Sequence, residues 1–105
     1  MKIIKKISAL LISLLISIGA AQAETWNMAL AYGAGNFHSQ NATAFAEAVT
    51  KKSGGKLTIK THPGGSLFKG GAILRAVQTG QTQIGERFMS AHGKFDPLLE
   101  VDSIP

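Results

Sequence analysis

The chain has 105 residues, a formal net charge of +5 from eleven Lys and Arg against six Asp and Glu, and no Cys. Without Cys no disulfide can form, so packing alone must hold the fold, and a lipoprotein anchor, which needs a Cys just after the cleavage point, is excluded. The bases beyond the N-terminal segment, from Lys51 and Lys52 to Arg87 and Lys94, are scattered and not interleaved with aromatics on one face, which gives nucleic-acid binding no support.

Residues 1–23 read as a cleavable signal peptide. Lys2, Lys5 and Lys6 form a positive start, and Ile7 to Ala20 is apolar apart from Ser and Gly. Ala21-Gln22-Ala23 is the small-x-small pattern of a cleavage site, with the cut between Ala23 and Glu24. The apolar run is shorter than the roughly 20 residues of a spanning helix, so the sequence predicts export and not a membrane anchor. Cleavage leaves 105 − 23 = 82 residues, enough for one small domain or for part of a larger one.

After the leader, Trp26, Met28, Leu30 and Tyr32 alternate with Asn27, Ala29 and Ala31, which predicts a buried strand. Gly33-Ala34-Gly35 breaks it, and Asn36 is placed to cap a helix. In that helix Ala42, Phe45, Ala46 and Val49 fall on one stripe, Lys51 and Lys52 suit its C-terminal dipole, and Gly54 can take the left-handed conformation that stops it. Lys56 to His62 reads as a second strand with one wetter face, hence near a sheet edge, closed by Pro63-Gly64-Gly65. Ile73, Ala76, Val77 and Gly80 mark a second helix with Gly80 as its stop. Gln83 to Met89 reads as a third strand, and the tail from Ala91 to Pro105 has no sustained period.

This alternation predicts an α/β layer with a parallel sheet, right-handed crossovers and strand order 2-1-3. Ligands of such sheets bind beyond the carboxyl ends of the strands at the switch point, which here means the loops Tyr32 to Asn36 and Met89 to Gly93. Three strands and two helices leave a sheet edge and part of a face uncovered, so the expectation is the opening section of a longer protein; the alternative is a self-sufficient domain of about 80 residues.

Enzyme signatures are incomplete. Gly33-Ala34-Gly35 begins a dinucleotide fingerprint whose third glycine would fall on His38, and Gly55-Lys56 is followed by Leu57 where a phosphate loop needs Ser or Thr. Around Ser66 and Ser90, Phe68 and Phe88 replace a glycine that a nucleophile elbow needs. His38, His62 and His92 are far apart in sequence and read as three unrelated surface histidines.

Five blocks in order resemble the periplasmic solute-binding subunit of tripartite ATP-independent (TRAP) transporters, DctP type. They are Asn36-Phe37-His38-Ser39-Gln40-Asn41 ahead of Phe45-Ala46, Ser53-Gly54-Gly55-Lys56-Leu57, His62-Pro63-Gly64-Gly65-Ser66-Leu67-Phe68, Arg75 to Gln81 with Ile84-Gly85-Glu86, and Asp102-Ser103-Ile104-Pro105. The resemblance implies a non-catalytic periplasmic protein with no cofactor, in which two α/β lobes of periplasmic-binding-protein type close around a small organic acid and deliver it to a membrane permease. It also implies that residues 24–105 are the first part of one lobe, and that the arginine by which the second lobe holds the ligand carboxylate has no counterpart here.

The resemblance and the switch-point rule together place Tyr32, Asn36, Phe37 and His38 toward the cleft, where a helix N-terminus favours a carboxylate. Asn36 as a plain cap and Phe37 as a staple are the alternatives. Glu86, Phe88 and Ser90 alternate on the third strand and should share one face. Glu86 then accepts from a ligand hydroxyl or a water, or else pairs with a Lys or Arg at a domain seam. Lys69 adds positive charge at the cleft rim or is a solvated helix start. The rival from another class is a small periplasmic interaction protein that pairs through its exposed sheet edge.

Overall fold

The structure, a computed structural model, describes residues 22–103; the expected leader lies outside the described residues except for its last two positions. The chain forms β1 (Glu24–Leu30), α1 (Phe37–Lys52), β2 (Leu57–His62), α2 (Gly70–Gln78) and β3 (Ile84–Glu86), then 3-10 turns at Met89–His92 and Pro97–Ser103. The three strands make one parallel sheet in the order β2-β1-β3, as expected. Trp26 pairs with Ile59 on one side of β1, and on the other Met28 pairs with Ile84 and Leu30 with Glu86.

β1 is central because its last three residues can be buried on both faces. Met28, Ala29 and Leu30 are all but inaccessible, which is the continuous apolar run of a covered parallel strand. Met28 and Leu30 meet Ala42 and Ala46 of α1 and Ile59 of β2 in one core. On the opposite face α2 buries Ile73 and Ala76, and it approaches β3 so closely that a Cβ on Gly85 would run into Ile73 Cγ2.

Both helices stop by the same device. Gly54 (φ 61°) donates to the Lys51 carbonyl at 3.1 Å and Gly55 to Thr50 at 3.0 Å; Gly80 (φ 72°) donates to Val77 at 3.1 Å and Gln81 to Ala76 at 2.8 Å. These are the two bonds of a Schellman motif, which needs a positive φ just past the helix.

Several details differ from the sequence reading. β1 ends at Leu30, so Tyr32 lies beyond the strand. The buried stripe of α1 runs through Ser39, Ala42 and Ala46, while Phe45 is half exposed. β3 has three residues and not seven, because the chain coils after it: Ala91 N–H donates to Phe88 at 3.2 Å and Gly93 N–H to Ser90 at 3.1 Å. Glu86, Phe88 and Ser90 therefore do not share a strand face. The tail is not featureless, since Pro97–Ser103 is a 3-10 turn.

Candidate functional site

The site grows from the end of β1. Beyond Leu30 the chain turns, with Asn36 N–H donating to the Gly33 carbonyl at 2.9 Å, and Asn36 then caps α1 by accepting from His38 N–H at 2.9 Å. The Tyr32 carbonyl ties three segments together: it accepts from the buried Ser39 hydroxyl and from Gly64 N–H, each at 2.7 Å. Gly65 N–H donates to the Leu30 carbonyl at 2.9 Å. Gly64 and Gly65 both have positive φ, which lets the loop after β2 fold back over the end of β1.

Leu30 and Glu86 are register partners, so the ends of β1 and β3 bring distant residues together. His38 Nδ1–H donates to Glu86 Oε1 at 3.1 Å, with the two side chains 21% and 26% exposed. Accepting that hydrogen bond, the carboxylate fixes the orientation of the imidazole. The ring is enclosed by aromatics: Phe37 at 4.0 Å between centroids, Phe88 edge-on at 4.1 Å and 82°, and Tyr32 at 5.4 Å. Tyr32 also lies 4.8 Å from Phe88, and its hydroxyl accepts from Phe88 N–H at 3.2 Å. His38 Nε2 and Glu86 Oε2 are buried and have no hydrogen-bond partner among the described residues.

Of the residues expected from the sequence, the structure brings together Tyr32, Phe37, His38, Glu86 and Phe88, with Asn36 beside them as the cap. Lys69 stands at the start of α2, where its carbonyl accepts from Ala72 N–H. Ser90 lies in the 3-10 turn, also apart from it. Two expectations are corrected. The partner of Glu86 is a histidine, not Lys or Arg, and the three histidines are not all surface residues: His38 is in the cluster and half-buried His62 is bonded through Nε2 to Asn27 Oδ1 at 2.8 Å.

Ser39 escaped the sequence reading, although a buried serine in the first turn of a helix is a common way to bond a preceding carbonyl. Arg87 escaped it too. Its Nη1 donates to the Gly70 carbonyl at 2.8 Å and so fastens the start of α2 to the end of β3. The Ser39 hydroxyl is committed to a backbone carbonyl, and no group of three or more His, Cys, Asp or Glu able to hold a metal ion occurs among the described residues.

Residues 28–105 match the family model of bacterial extracellular solute-binding protein family 7, DctP. The C4-dicarboxylate-binding protein DctB of Bacillus subtilis (strain 168) is 36% identical over 64 residues, which are 61% of this chain and 18% of that one. Among solved structures, a TRAP solute-binding protein of an unidentified marine microbe, specific for pyroglutamate, is 61% identical with a TM-score of 0.76, covering 80% of this chain and 28% of its own. The Bordetella pertussis receptor DctP6, which binds pyroglutamic acid, is 43% identical with a TM-score of 0.74, covering 78% and 27%. The chain thus spans under a third of the length of these relatives, and their shared parallel 2-1-3 fold places it in a lobe of periplasmic-binding-protein type. With a family match over most of its length and this fold, the chain belongs to family 7 of the bacterial extracellular solute-binding proteins, the DctP-type TRAP receptors, which are solute-binding proteins and not enzymes.

Proposed function

We propose that residues 24–105 form the opening part of the first lobe of a periplasmic TRAP receptor, exported by the leader 1–23, that captures a small organic acid and hands it to the membrane permease. The observation that carries this reading is the His38–Glu86 pair among Tyr32, Phe37 and Phe88 at the carboxyl ends of β1 and β3, the switch point where open α/β sheets take their ligands. Tyr32, Asn36, Phe37, His38, Glu86 and Phe88 line or brace that surface. Closure of two lobes over the acid selects the state that the permease recognises, because the ligand contacts both lobes only when they are closed. Pyroglutamate is the first compound to try, since three relatives above 40% identity bind it.

The test is a two-lobe receptor in which residues 24–105 replace the corresponding segment of the marine pyroglutamate-binding protein. Calorimetry against pyroglutamate, malonate, pyruvate and galacturonate is expected to show saturable binding of at least one acid. A folded chimera that binds none of them refutes the reading. N-terminal sequencing of the exported protein is expected to begin at Glu24.

A further inference from the structure

Imidazole is the side chain that ordinarily changes charge near neutral pH, and one imidazole stands inside the candidate site. His38 Nδ1–H donates to Glu86 Oε1 at 3.1 Å, while His38 Nε2 and Glu86 Oε2 are buried with no partner among the described residues. The pair therefore carries one negative charge when the ring is neutral and none when Nε2 holds a second proton. Phe37, Phe88 and Tyr32 surround it, so little water reaches it to screen that charge. The other two histidines lie elsewhere: His62 Nε2 is bonded to Asn27 Oδ1, and His92 stands beside Phe95.

Each element packed on the ring brings its own field. β3 brings the Glu86 carboxylate, which favours a positive ring. The end of β1 brings Tyr32, a neutral phenol whose hydroxyl accepts from Phe88 N–H. The segment after β3 brings Phe88, and Arg87 between Glu86 and Phe88 donates to the Gly70 carbonyl. His38 itself sits in the first turn of α1, at the positive end of the helix dipole, which opposes a positive ring. Asn36 accepts from His38 N–H there. An anion bound at the carboxyl ends of β1 and β3 adds a negative charge beside the ring and so favours its protonated form, as Glu86 does.

We propose that His38 takes up a proton when the organic acid binds, so that this receptor holds its ligand more tightly as the pH falls. This rests on the receptor reading above. The proton comes from solvent and goes to Nε2, while Nδ1 keeps its own proton and its bond to Glu86. The bound carboxylate then faces a neutral pair in place of a negative one. Contact between ligand and Nε2 is not required, because the effect acts through the field: at an effective dielectric of about 20, two unit charges about 12 Å apart change an equilibrium about tenfold. The sign follows from linkage. At high pH the ring is neutral in the free and the bound receptor, and affinity is at its lowest. Through the range where binding takes up the proton, affinity rises as pH falls. It levels off once the free receptor is protonated too.

The experiment is calorimetry of pyroglutamate binding to the two-lobe chimera, or of pyruvate or galacturonate binding if pyroglutamate does not bind. Titrations in two buffers of different protonation enthalpy count the protons taken up. The parent chimera is expected to take up a proton fraction of at most about one per acid bound, and its Kd to tighten about tenfold between about pH 8.5 and about pH 5.5. His38→Gln, whose amide N–H can still donate to Glu86, is expected to lose that uptake and to bind at every pH as weakly as the parent does at the alkaline end. Glu86→Gln leaves a neutral ring beside a neutral amide, so at the alkaline end it is expected to bind about tenfold more tightly than the parent. A parent that takes up no proton overturns the proposal. So does a folded His38→Gln variant with the parent's uptake, which would put the proton on another group. Glu86→Gln binding no more tightly than the parent at the alkaline end also overturns it, and this arm stands even if His38→Gln does not fold. A folded chimera that binds no acid at any pH overturns instead the receptor reading beneath it.

Discussion

Thr82→Val tests how so short a third strand is held in the sheet. β3 pairs with β1 over three register positions, beginning at Met28 with Ile84. One residue earlier, side chains take over from the backbone: Thr82 Oγ1 donates to the Asn27 carbonyl at 2.6 Å, and Gln83 Oε1 accepts from Asn27 N–H at 2.9 Å. Thr82 is buried to 2% exposure, so its hydroxyl cannot be exchanged for water. Valine keeps the shape and loses the donor. The lost bond costs about 1 kcal/mol, and leaving a buried carbonyl short of a partner adds about 1–2 kcal/mol. The added methyl returns about 0.8 kcal/mol. The balance is about 1–2 kcal/mol of destabilisation. With a urea slope of about 1 kcal/mol per molar for a chain this small, the midpoint should fall by about 1–2 M. Equilibrium urea unfolding of the chain, followed by far-ultraviolet circular dichroism, reads this directly. A midpoint that stays put or rises at constant slope would refute the idea that these side chains extend the sheet.

The parts of the fold legible in the sequence are those set by local chemistry. Gly54 and Gly80 could be read as helix stops because a Schellman motif requires positive φ there, and Asn36 as a cap because it has the right acceptor one turn from the apolar stripe. The sheet order could be read because β2 has a wetter face and β1 an apolar run, which suit an edge and a centre. What stayed hidden depends on contacts between distant segments. His38 and Glu86 are 48 positions apart, and they meet through the pairing of Leu30 with Glu86. Among the described residues Ser39 and Thr82 are the buried polar side chains; an apolar-periodicity reading treats both as surface, whereas each is buried because it satisfies a backbone carbonyl. Phe45 fits the helical stripe by spacing yet is half exposed, since the alanines at 42 and 46 bring α1 down on Met28, Leu30 and Ile59. The candidate site divides in the same way: the switch-point rule picks out Tyr32, Phe37 and His38, which the structure brings together, while the extended reading of β3 adds Ser90, which lies in a 3-10 turn and not on the strand.

Leu30→Ala, at a fully buried position of the central strand, is expected to cost about 3–5 kcal/mol and to leave the chain largely unfolded by circular dichroism. Gly85→Ala drives a Cβ into Ile73 Cγ2 and is expected to cost about 1–3 kcal/mol; a double-mutant cycle with Ile73→Ala should recover part of this by making room, and strictly additive losses would show that the contact is not the cause. Ser39→Ala is expected to behave differently from both. Its hydroxyl bonds the Tyr32 carbonyl at 2.7 Å, but that carbonyl keeps the Gly64 N–H, also at 2.7 Å, so no acceptor is stranded and the stability loss should stay near 1 kcal/mol. The larger effect should appear in binding, because Ser39 fastens the first turn of α1 to the residue whose hydroxyl holds Phe88. In the two-lobe chimera a loss of about threefold to tenfold in affinity for the bound acid, with nearly unchanged melting, is the expected result. If Ser39→Ala instead unfolds the protein as Leu30→Ala does, the hydroxyl serves the core; if it changes neither property, the tie between α1 and the end of β1 does not position the ligand surface.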